Sequence, residues 1–135
     1  MKKILFTLLT FLVFGIGAYA QQANPNAPEI TFDKTTHDYG KIEKGSEGVC
    51  TFTFKNTGTE PLILTNVAPS CGCTSPEWTK EPVLKGKTGV IKVKYNTQSV
   101  SPFSKYISVQ SNAKNGTIQL NIKGEVVEKA TASAK

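Results

Sequence analysis

Short stretches in which apolar and polar residues alternate recur along most of this chain, and they constrain its fold more than any other feature. In residues 49–55 the strand period of two places Cys50, Phe52 and Phe54 on one face and polar side chains on the other. Residues 90–95 repeat the pattern with their lysines outward. After the N-terminal apolar segment, no stretch has the 3.6-residue period of an amphipathic helix. The sequence therefore predicts an all-β protein.

Turn residues separate these stretches at intervals of about ten residues, which is typical of a β-sandwich. We predict a single immunoglobulin-like antiparallel β-sandwich of about seven strands, with a barrel as the alternative. The predicted strands are residues 30–42 with an interruption, 49–55, 62–67, 90–95, 106–110 and 118–127. Among them, residues 62–67 are apolar enough for burial on both faces.

Two details bear on how these strands are arranged. Asn115-Gly116 is typical of a two-residue hairpin turn with positive φ at both residues, so the last two strands should pair antiparallel. An exposed edge strand could accept a strand from a partner. Alternatively, Lys92 and Lys94 could guard that edge against such pairing.

The N-terminus has the three parts of a secretory signal peptide. Lys2 and Lys3 precede an apolar run, and Ala18-Tyr19-Ala20 stands before Gln21, which predicts cleavage after residue 20. The apolar run is short for a membrane-spanning helix, so no stable membrane insertion is expected after cleavage. We therefore predict export to the periplasm or the extracellular space.

Cleavage after residue 20 of 135 leaves 115 residues, which suits one domain. Residues 21–28 are predicted to be a flexible leader, 29–127 the sandwich, and 128–135 a disordered tail. Loss of Lys2 and Lys3 lowers the formal charge from +6 to +4. The chain has no arginine, and its lysines are spread among acidic residues, so no nucleic-acid partner is expected.

Three segments carry a family resemblance. They are residues 52–58 followed by Pro61-Leu62, the Ser-Cys-Gly-Cys-Thr loop at 70–74, and the closing residues 122–126. In these the chain resembles the bacterial domain of unknown function 1573, over roughly residues 29–127. The resemblance implies export and the immunoglobulin-like fold of Hydin-type and major-sperm-protein-like domains, which act elsewhere as protein-interaction modules. It implies no biochemical activity.

The three cysteines are the sharpest chemical feature. An oxidising compartment favours disulfides, and an odd number of cysteines leaves one thiol over. Cys71 and Cys73 could close a tight ring that is helped by flexible Gly72 and is easily reduced. Cys50 could pair with either of them, or it could be a small buried apolar side chain on the inward face of its strand. All three pairings stay open.

Metal binding is a second interpretation of these residues. Cys71 and Cys73, with Cys50 or His37 as a third ligand, would suit a soft ion such as Cu(I) or zinc. The spacing is not that of a structural zinc site, which uses Cys-x2-Cys pairs and four ligands. We therefore expect no cofactor.

Two further positions have a functional and a structural interpretation. His37-Asp38 could form an acid–base pair, but no nucleophile motif accompanies it, so the sequence does not predict an enzyme. Trp78 could pack over the cysteine loop or serve as an exposed anchor, and with Thr74 it is the predicted binding surface.

We therefore predict an exported non-enzymatic immunoglobulin-like module that is protein-binding or structural in the cell envelope. Its partner would be an envelope or extracellular protein. The alternative is a thiol redox or soft-metal-binding protein that acts through Cys71 and Cys73.

Overall fold

The computed structural model describes residues 24–131, and this part of the chain forms eight β-strands and no helix. The predicted signal peptide, residues 1–20, lies outside the described residues. The strands are β1 (Ile30–Phe32), β2 (Thr36–Glu43), β3 (Gly48–Asn56), β4 (Leu64–Pro69), β5 (Thr74–Trp78), β6 (Thr88–Tyr95), β7 (Pro102–Ser111) and β8 (Ile118–Val127). Among residues 24–131 there is no long apolar helix of the kind that crosses a membrane.

The strands form two four-stranded sheets that pack face to face, which confirms the predicted sandwich. The first sheet has the order β1-β3-β6-β5, and the second has the order β2-β8-β7-β4. All neighbouring strands are antiparallel except β2 and β8, which are parallel. The structure thus has eight strands where the sequence predicted about seven.

The interruption predicted in residues 30–42 is the point at which the chain changes sheets. Ile30–Phe32 pairs with β3 in the first sheet, whereas Thr36–Glu43 pairs with β8 in the second. β2 itself is irregular at Gly40, which has a φ of 62° and donates its N–H to Asp38 Oδ1 at 2.8 Å. The predicted single broken strand is therefore two strands, one at the edge of each sheet.

The inward faces of the central strands are those that the alternation predicted. Cys50, Phe52 and Phe54 of β3 are all buried. They lie beside the buried Ile91 and Val93 of β6, which is their neighbour in the first sheet. The core is therefore the layer between the sheets, as the period of two requires.

β5 was not predicted, because its sequence contains a proline and follows the cysteine loop. It is an edge strand. The residues that flank it, Cys73 and Thr79, bond to Asn96 and Val90 on the side of β6. The backbone groups of the alternate residues Thr74, Pro76 and Trp78 therefore face away from β6. Pro76 has no backbone N–H, so β5 lacks a donor there for a further strand at its open edge. β6, which carries Lys92 and Lys94, lies between β3 and β5, so the prediction that these lysines guard an edge was wrong.

The prediction that residues 62–67 are buried on both sides was also wrong. In β4, Leu64 and Val67 are buried, while Thr65 and Asn66 are exposed. Ile63, just before the strand, is 40% exposed. The reason is that each sheet of the sandwich buries only one face, so the outward side chains of β4 meet solvent.

The β7–β8 connection confirms the antiparallel pairing but not the predicted turn. Gly116 has a φ of 69°, whereas no residue other than glycine has positive φ among residues 24–131, so Asn115 does not fit the predicted two-residue turn. Asn115 instead bonds to β1. Its Oδ1 accepts from the Ile30 N–H at 3.2 Å, and its Nδ2 donates to the Ile30 carbonyl at 2.7 Å. The Asn115 side-chain amide thus bonds to the backbone groups with which a further strand would pair on the open edge of β1.

Residues 24–28 of the predicted flexible leader are held against the sandwich. The Asn26 carbonyl accepts from the Glu60 N–H at 3.0 Å and from the Thr59 hydroxyl at 2.7 Å. The Pro28 carbonyl accepts from the Lys114 N–H at 2.9 Å. The ordered domain thus begins a few residues before residue 29. After β8, the described residues 128–131 are exposed and have no secondary structure.

Asn56, at the end of β3, is a fully buried polar residue that joins three segments. Its Nδ2 donates to the carbonyls of Glu60 at 2.7 Å and Val83 at 2.8 Å, and its Oδ1 accepts from the Gly58 N–H at 3.0 Å. A side chain at Gly58 would clash with the backbone of residues 27–29. The asparagine and the glycine therefore have separate structural roles at this end of the sandwich.

Replacing Asn56 with alanine should destabilise the fold by about 3 kcal/mol, because it removes three hydrogen bonds and leaves the buried Gly58 N–H without a partner. Urea unfolding of the purified domain measures this change. The matched variant Asn56→Asp keeps the acceptor for Gly58 but loses both donors, and it should also be destabilised. An alanine variant within about 0.5 kcal/mol of the wild type would contradict this role for Asn56.

Candidate functional site at the cysteine loop

The cysteine loop, residues 70–73, carries the chain from β4 in the second sheet to β5 in the first. Ser70 fixes its start, since the Ser70 N–H donates to the Tyr106 carbonyl at 2.8 Å and the Ser70 hydroxyl accepts from the Tyr106 N–H at 3.1 Å. Its end is fixed by the Cys73 carbonyl, which accepts from the Asn96 N–H at 2.8 Å. Both sheets therefore hold the loop in place.

Within this loop the structure brings Cys71 and Cys73 together. Their sulfur atoms are in bonding contact, and their Cα atoms are 5.3 Å apart. Both residues are half-buried, and a side chain at Gly72 would meet no atom within 4 Å. The hydroxyl of Thr74 lies 3.7 Å from Cys71 Sγ and 3.9 Å from Cys73 Sγ. The pair thus sits at the surface beside one buried hydroxyl.

A groove of about 420 Å³ opens beside the cysteine loop. Three segments line it, namely residues 45–47 of the β2–β3 turn, residues 94–98 at the end of β6, and Gly72, Cys73 and Ser75. The first two segments are joined, because the Gly45 N–H donates to the Thr97 carbonyl at 3.2 Å and the Thr97 hydroxyl donates to the Ser46 carbonyl at 2.6 Å. We call this the cysteine-loop groove.

The groove is polar and carries both signs of charge. Asn96 and Gln98 offer side-chain amides, and the Asn96 Oδ1 accepts from the Gln98 N–H at 3.0 Å. Glu47 and Lys94 contribute one negative and one positive group. These residues were not predicted from the sequence, because they come from segments that are distant along the chain from Cys71 and Cys73. Only the turn signals near them could have pointed to this end of the sandwich.

Cys50 lies in the core, apart from the cysteine loop. It is 5% exposed, and burial raises the pKa of its thiol, an effect that the adjacent Tyr39 hydroxyl offsets only in part. Tyr39 donates its own hydroxyl to the Gly48 carbonyl at 2.9 Å. In residues 24–131 no three His, Cys, Asp or Glu side chains are close enough to share a metal ion. The structure therefore does not bring Cys50 or His37 to the Cys71–Cys73 pair.

His37 does not form the acid–base pair with Asp38 that their sequence positions suggest. The two side chains lie on opposite faces of β2, since Asp38 is exposed and bonds to the Gly40 N–H, while His37 packs edge-on against Tyr39 at 4.5 Å between ring centroids. Lys34 Nζ lies 3.1 Å from His37 Nδ1. Burial and the charge of Lys34 lower the pKa of His37 below its usual 6.5, against the smaller opposing effect of Asp38.

This lowered pKa predicts a pH dependence of folding. The unfolded chain takes up the imidazole proton at a higher pH than the folded chain does, so stability should fall as the pH drops below about 6.5. Urea unfolding at a pH of about 7.5 and about 5.5 would show a loss that is smaller in His37→Gln. Lys34→Gln should also reduce the loss, because it removes a charge that opposes protonation. Equal losses in the wild type and His37→Gln would contradict this assignment.

The two residues of the predicted binding surface have different environments. Thr74 is 3% exposed, so its side chain faces the interior rather than a partner. Trp78 is half-buried against the core, and the Lys80 ammonium lies 3.0 Å from its ring centroid. Its indole N–H is buried without a hydrogen-bond partner. Trp78 lies along β5 away from the groove, so the structure separates it from the cysteine loop.

The two packed four-stranded sheets define the protein as an all-β, immunoglobulin-like sandwich. A protein of unknown function from Porphyromonas gingivalis W83 is similar with a TM-score of 0.70 and 15% identity, over 80% of this chain and 51% of that protein. The PapD-like domain 7 of human CEP192 has a TM-score of 0.64 and 10% identity, over 93% and 99%. The Vibrio cholerae VesB protease has a TM-score of 0.60 and 16% identity, over 73% and 32%.

These likenesses show the fold alone, and this chain spans about half the length of the Porphyromonas protein and about a third of the protease. The chain belongs to the family described as Protein of unknown function (DUF1573), whose model matches residues 30–126. The resemblance found in the sequence is thereby confirmed. The comparison with curated proteins gave no match.

Proposed function

We propose that this protein is an exported, non-enzymatic immunoglobulin-like module that binds another protein in the cell envelope or outside the cell. The observation that carries this proposal is the cysteine-loop groove, a preformed surface whose three segments are tied to one another and to both sheets. Loops on a rigid sandwich are a common place for binding residues. A groove that is already formed orders few groups when a partner binds, which favours affinity.

The edges of the sheets are poorer binding surfaces than the groove. Asn115 caps β1 by bonding to both backbone groups of Ile30. The β-bulge at Gly40 makes the edge of β2 irregular. The backbone nitrogens of Pro69 in β4 and Pro76 in β5 face the unpaired side of each strand. This follows because the backbone groups of the adjacent residues, Ser70 and Ser75, face the paired strand. Such features discourage the addition of a strand from another chain. We therefore assign partner binding to the groove rather than to strand addition.

The position of the groove also suits binding by an exported protein. Residues 24–28 contact the turn at residues 58–60, at the end of the sandwich opposite the groove. Residues 24–28 therefore leave the groove open. Glu47 and Lys94 balance each other in charge, so the groove should accept an uncharged polar segment of the partner rather than a strongly acidic or basic one.

The absence of an acid–base pair at His37 supports the non-enzymatic part of the proposal. His37, the single histidine of the chain, contacts Lys34 and Tyr39, and Asp38 is directed elsewhere. A histidine held next to an ammonium is a poor general base, because the nearby positive charge lowers its pKa.

A photo-crosslinking amino acid placed at Gln98 in the groove should capture one protein in proportion to the bait. The matched control is the same group at Lys85, which is exposed and lies at the opposite end of the sandwich. Crosslinks are compared on gels of the cell envelope and the medium, and the intact mass of the purified protein reports cleavage after residue 20. Equal crosslinking at both positions, or none at Gln98, would contradict the assignment.

The second candidate function is thiol redox or soft-metal binding through Cys71 and Cys73. It is favoured by the position of Cys73 in the lining of the groove. When reduced, the two thiolates could hold a soft ion such as Cu(I), and metal analysis of the reduced protein tests this form.

A further inference from the structure

We propose that the cysteine-loop groove admits a cysteine of the bound partner, whose thiolate attacks the sulfur of Cys73 and displaces that of Cys71. This inference rests on the proposed function, because it uses the same groove for the same partner. It adds a covalent step and names the sulfur at which that step occurs.

The two cysteines differ in their relation to the groove. Cys73 lines it together with Gly72 and Ser75, whereas Cys71 is not one of the lining residues. Cys73 also packs against the core, and its carbonyl is bonded to the Asn96 N–H at 2.8 Å. A segment lying in the groove therefore meets Cys73 first, and a partner joined to Cys73 would be attached to a fixed point of the fold.

Cys71 is suited to be the displaced sulfur. It is followed by Gly72, which is exposed and at which an added side chain would meet no atom within 4 Å, so the loop leaves room for the Cys71 side chain to rotate when the bond opens. The Thr74 hydroxyl lies 3.7 Å from Cys71 Sγ and can donate a hydrogen bond to a thiolate formed there. A hydrogen bond to a charged acceptor is about twice as strong as one between neutral groups, which lowers the cost of the leaving thiolate.

The exchange is balanced without a further oxidant or reductant. The partner thiolate forms a bond to Cys73 Sγ, and the Cys71–Cys73 bond breaks with its electron pair going to Cys71 Sγ. One disulfide is lost and one mixed disulfide is formed, and the Cys71 thiolate can then take up a proton from water. The reverse attack by Cys71 releases the partner and restores the original bond. A disulfide between residues two positions apart closes a small ring, which favours its opening.

Cys50 does not take part in this exchange. It is 5% exposed within the core cluster, and an apolar environment disfavours the thiolate that attack would require. The three cysteines thus divide into an accessible pair and one buried thiol.

The test uses two single variants that differ only in which loop sulfur remains. Cys71→Ser keeps Cys73, and Cys73→Ser keeps Cys71. In each purified variant the remaining loop thiol is first converted to a mixed disulfide with thionitrobenzoate, which a partner thiolate can attack with release of thionitrobenzoate. The variants are then incubated with reduced cell envelope, treated with N-ethylmaleimide and run on gels without reductant. We expect a reductant-sensitive adduct that is at least fivefold stronger in Cys71→Ser than in Cys73→Ser. An adduct that is equal in both, stronger in Cys73→Ser, or absent from both would overturn the proposal.

A measurement on the wild-type protein avoids dependence on variants that fail to fold. Oxidised protein is incubated with glutathione, quenched in acid, alkylated and fragmented by mass spectrometry between the two cysteines. The proposal expects glutathione on Cys73 and the alkyl group on Cys71 in at least fivefold excess over the reverse. Equal amounts of the two products, or no glutathione adduct at either sulfur, would overturn it.

A double variant separates failure of the exchange from failure of the proposed function. Cys71→Ser/Cys73→Ser with the crosslinker at Gln98 should still capture the partner if binding occurs in the groove and only the covalent step is wrong. Loss of all capture in the protein that retains both cysteines would instead overturn the groove assignment itself.

Discussion

The buried amide of Asn56 is the contact on which the rest of the sandwich depends. It ends β3 by bonding to the turn that follows and to the Val83 carbonyl, and its backbone bonds to Gly86 and Lys87 at the start of β6. The two central strands of the first sheet are thus held in register at one end. Because a slip of one residue would turn Phe52 and Phe54 outward, the register fixed here determines which residues reach the core. It also gives a physical reason for the Asn-Thr-Gly segment that carries the family resemblance.

The two ends of the described part of the molecule differ in how closely their segments pack. At the Asn56 end, the closely packed segments are residues 26–29, the turn at 58–60, and Val83, so even a methyl group at Gly58 would clash. At the other end, the turns are tied to one another by backbone and hydroxyl groups but leave a groove between them. The strands span the distance between the two ends. The turns that line the groove therefore extend from β3 and β6, whose register is held at the opposite end.

Much of the fold could be predicted from the alternation of residues, because burial of one face imposes a period of two on β3 and β6. The parallel β2–β8 pair could not, since alternation does not show which strands pair or in which direction. β5 was hidden by Pro76, which is acceptable there only because its nitrogen faces the open edge. The cysteine pair was visible in the sequence as an open alternative, whereas Asn96 and Gln98 acquire meaning only when the fold brings them to the cysteine loop. Thr74 was misjudged because it lies next to the exposed cysteine loop, where Gly72 meets solvent, while its own side chain faces inward.

The three cysteines lie in two different environments, one in the core and two in the cysteine loop. Cys50 occupies a core position where a small apolar side chain is sufficient, and its neighbours in the layer are aromatic and aliphatic. Cys71 and Cys73 lie where both sheets hold the chain but neither covers it. Because an oxidising compartment favours disulfides among accessible thiols, the accessible pair can form and exchange its bond while the buried thiol stays out of reach. A domain in such a compartment can therefore carry three cysteines without mispairing, provided that the core and the cysteine loop remain separate.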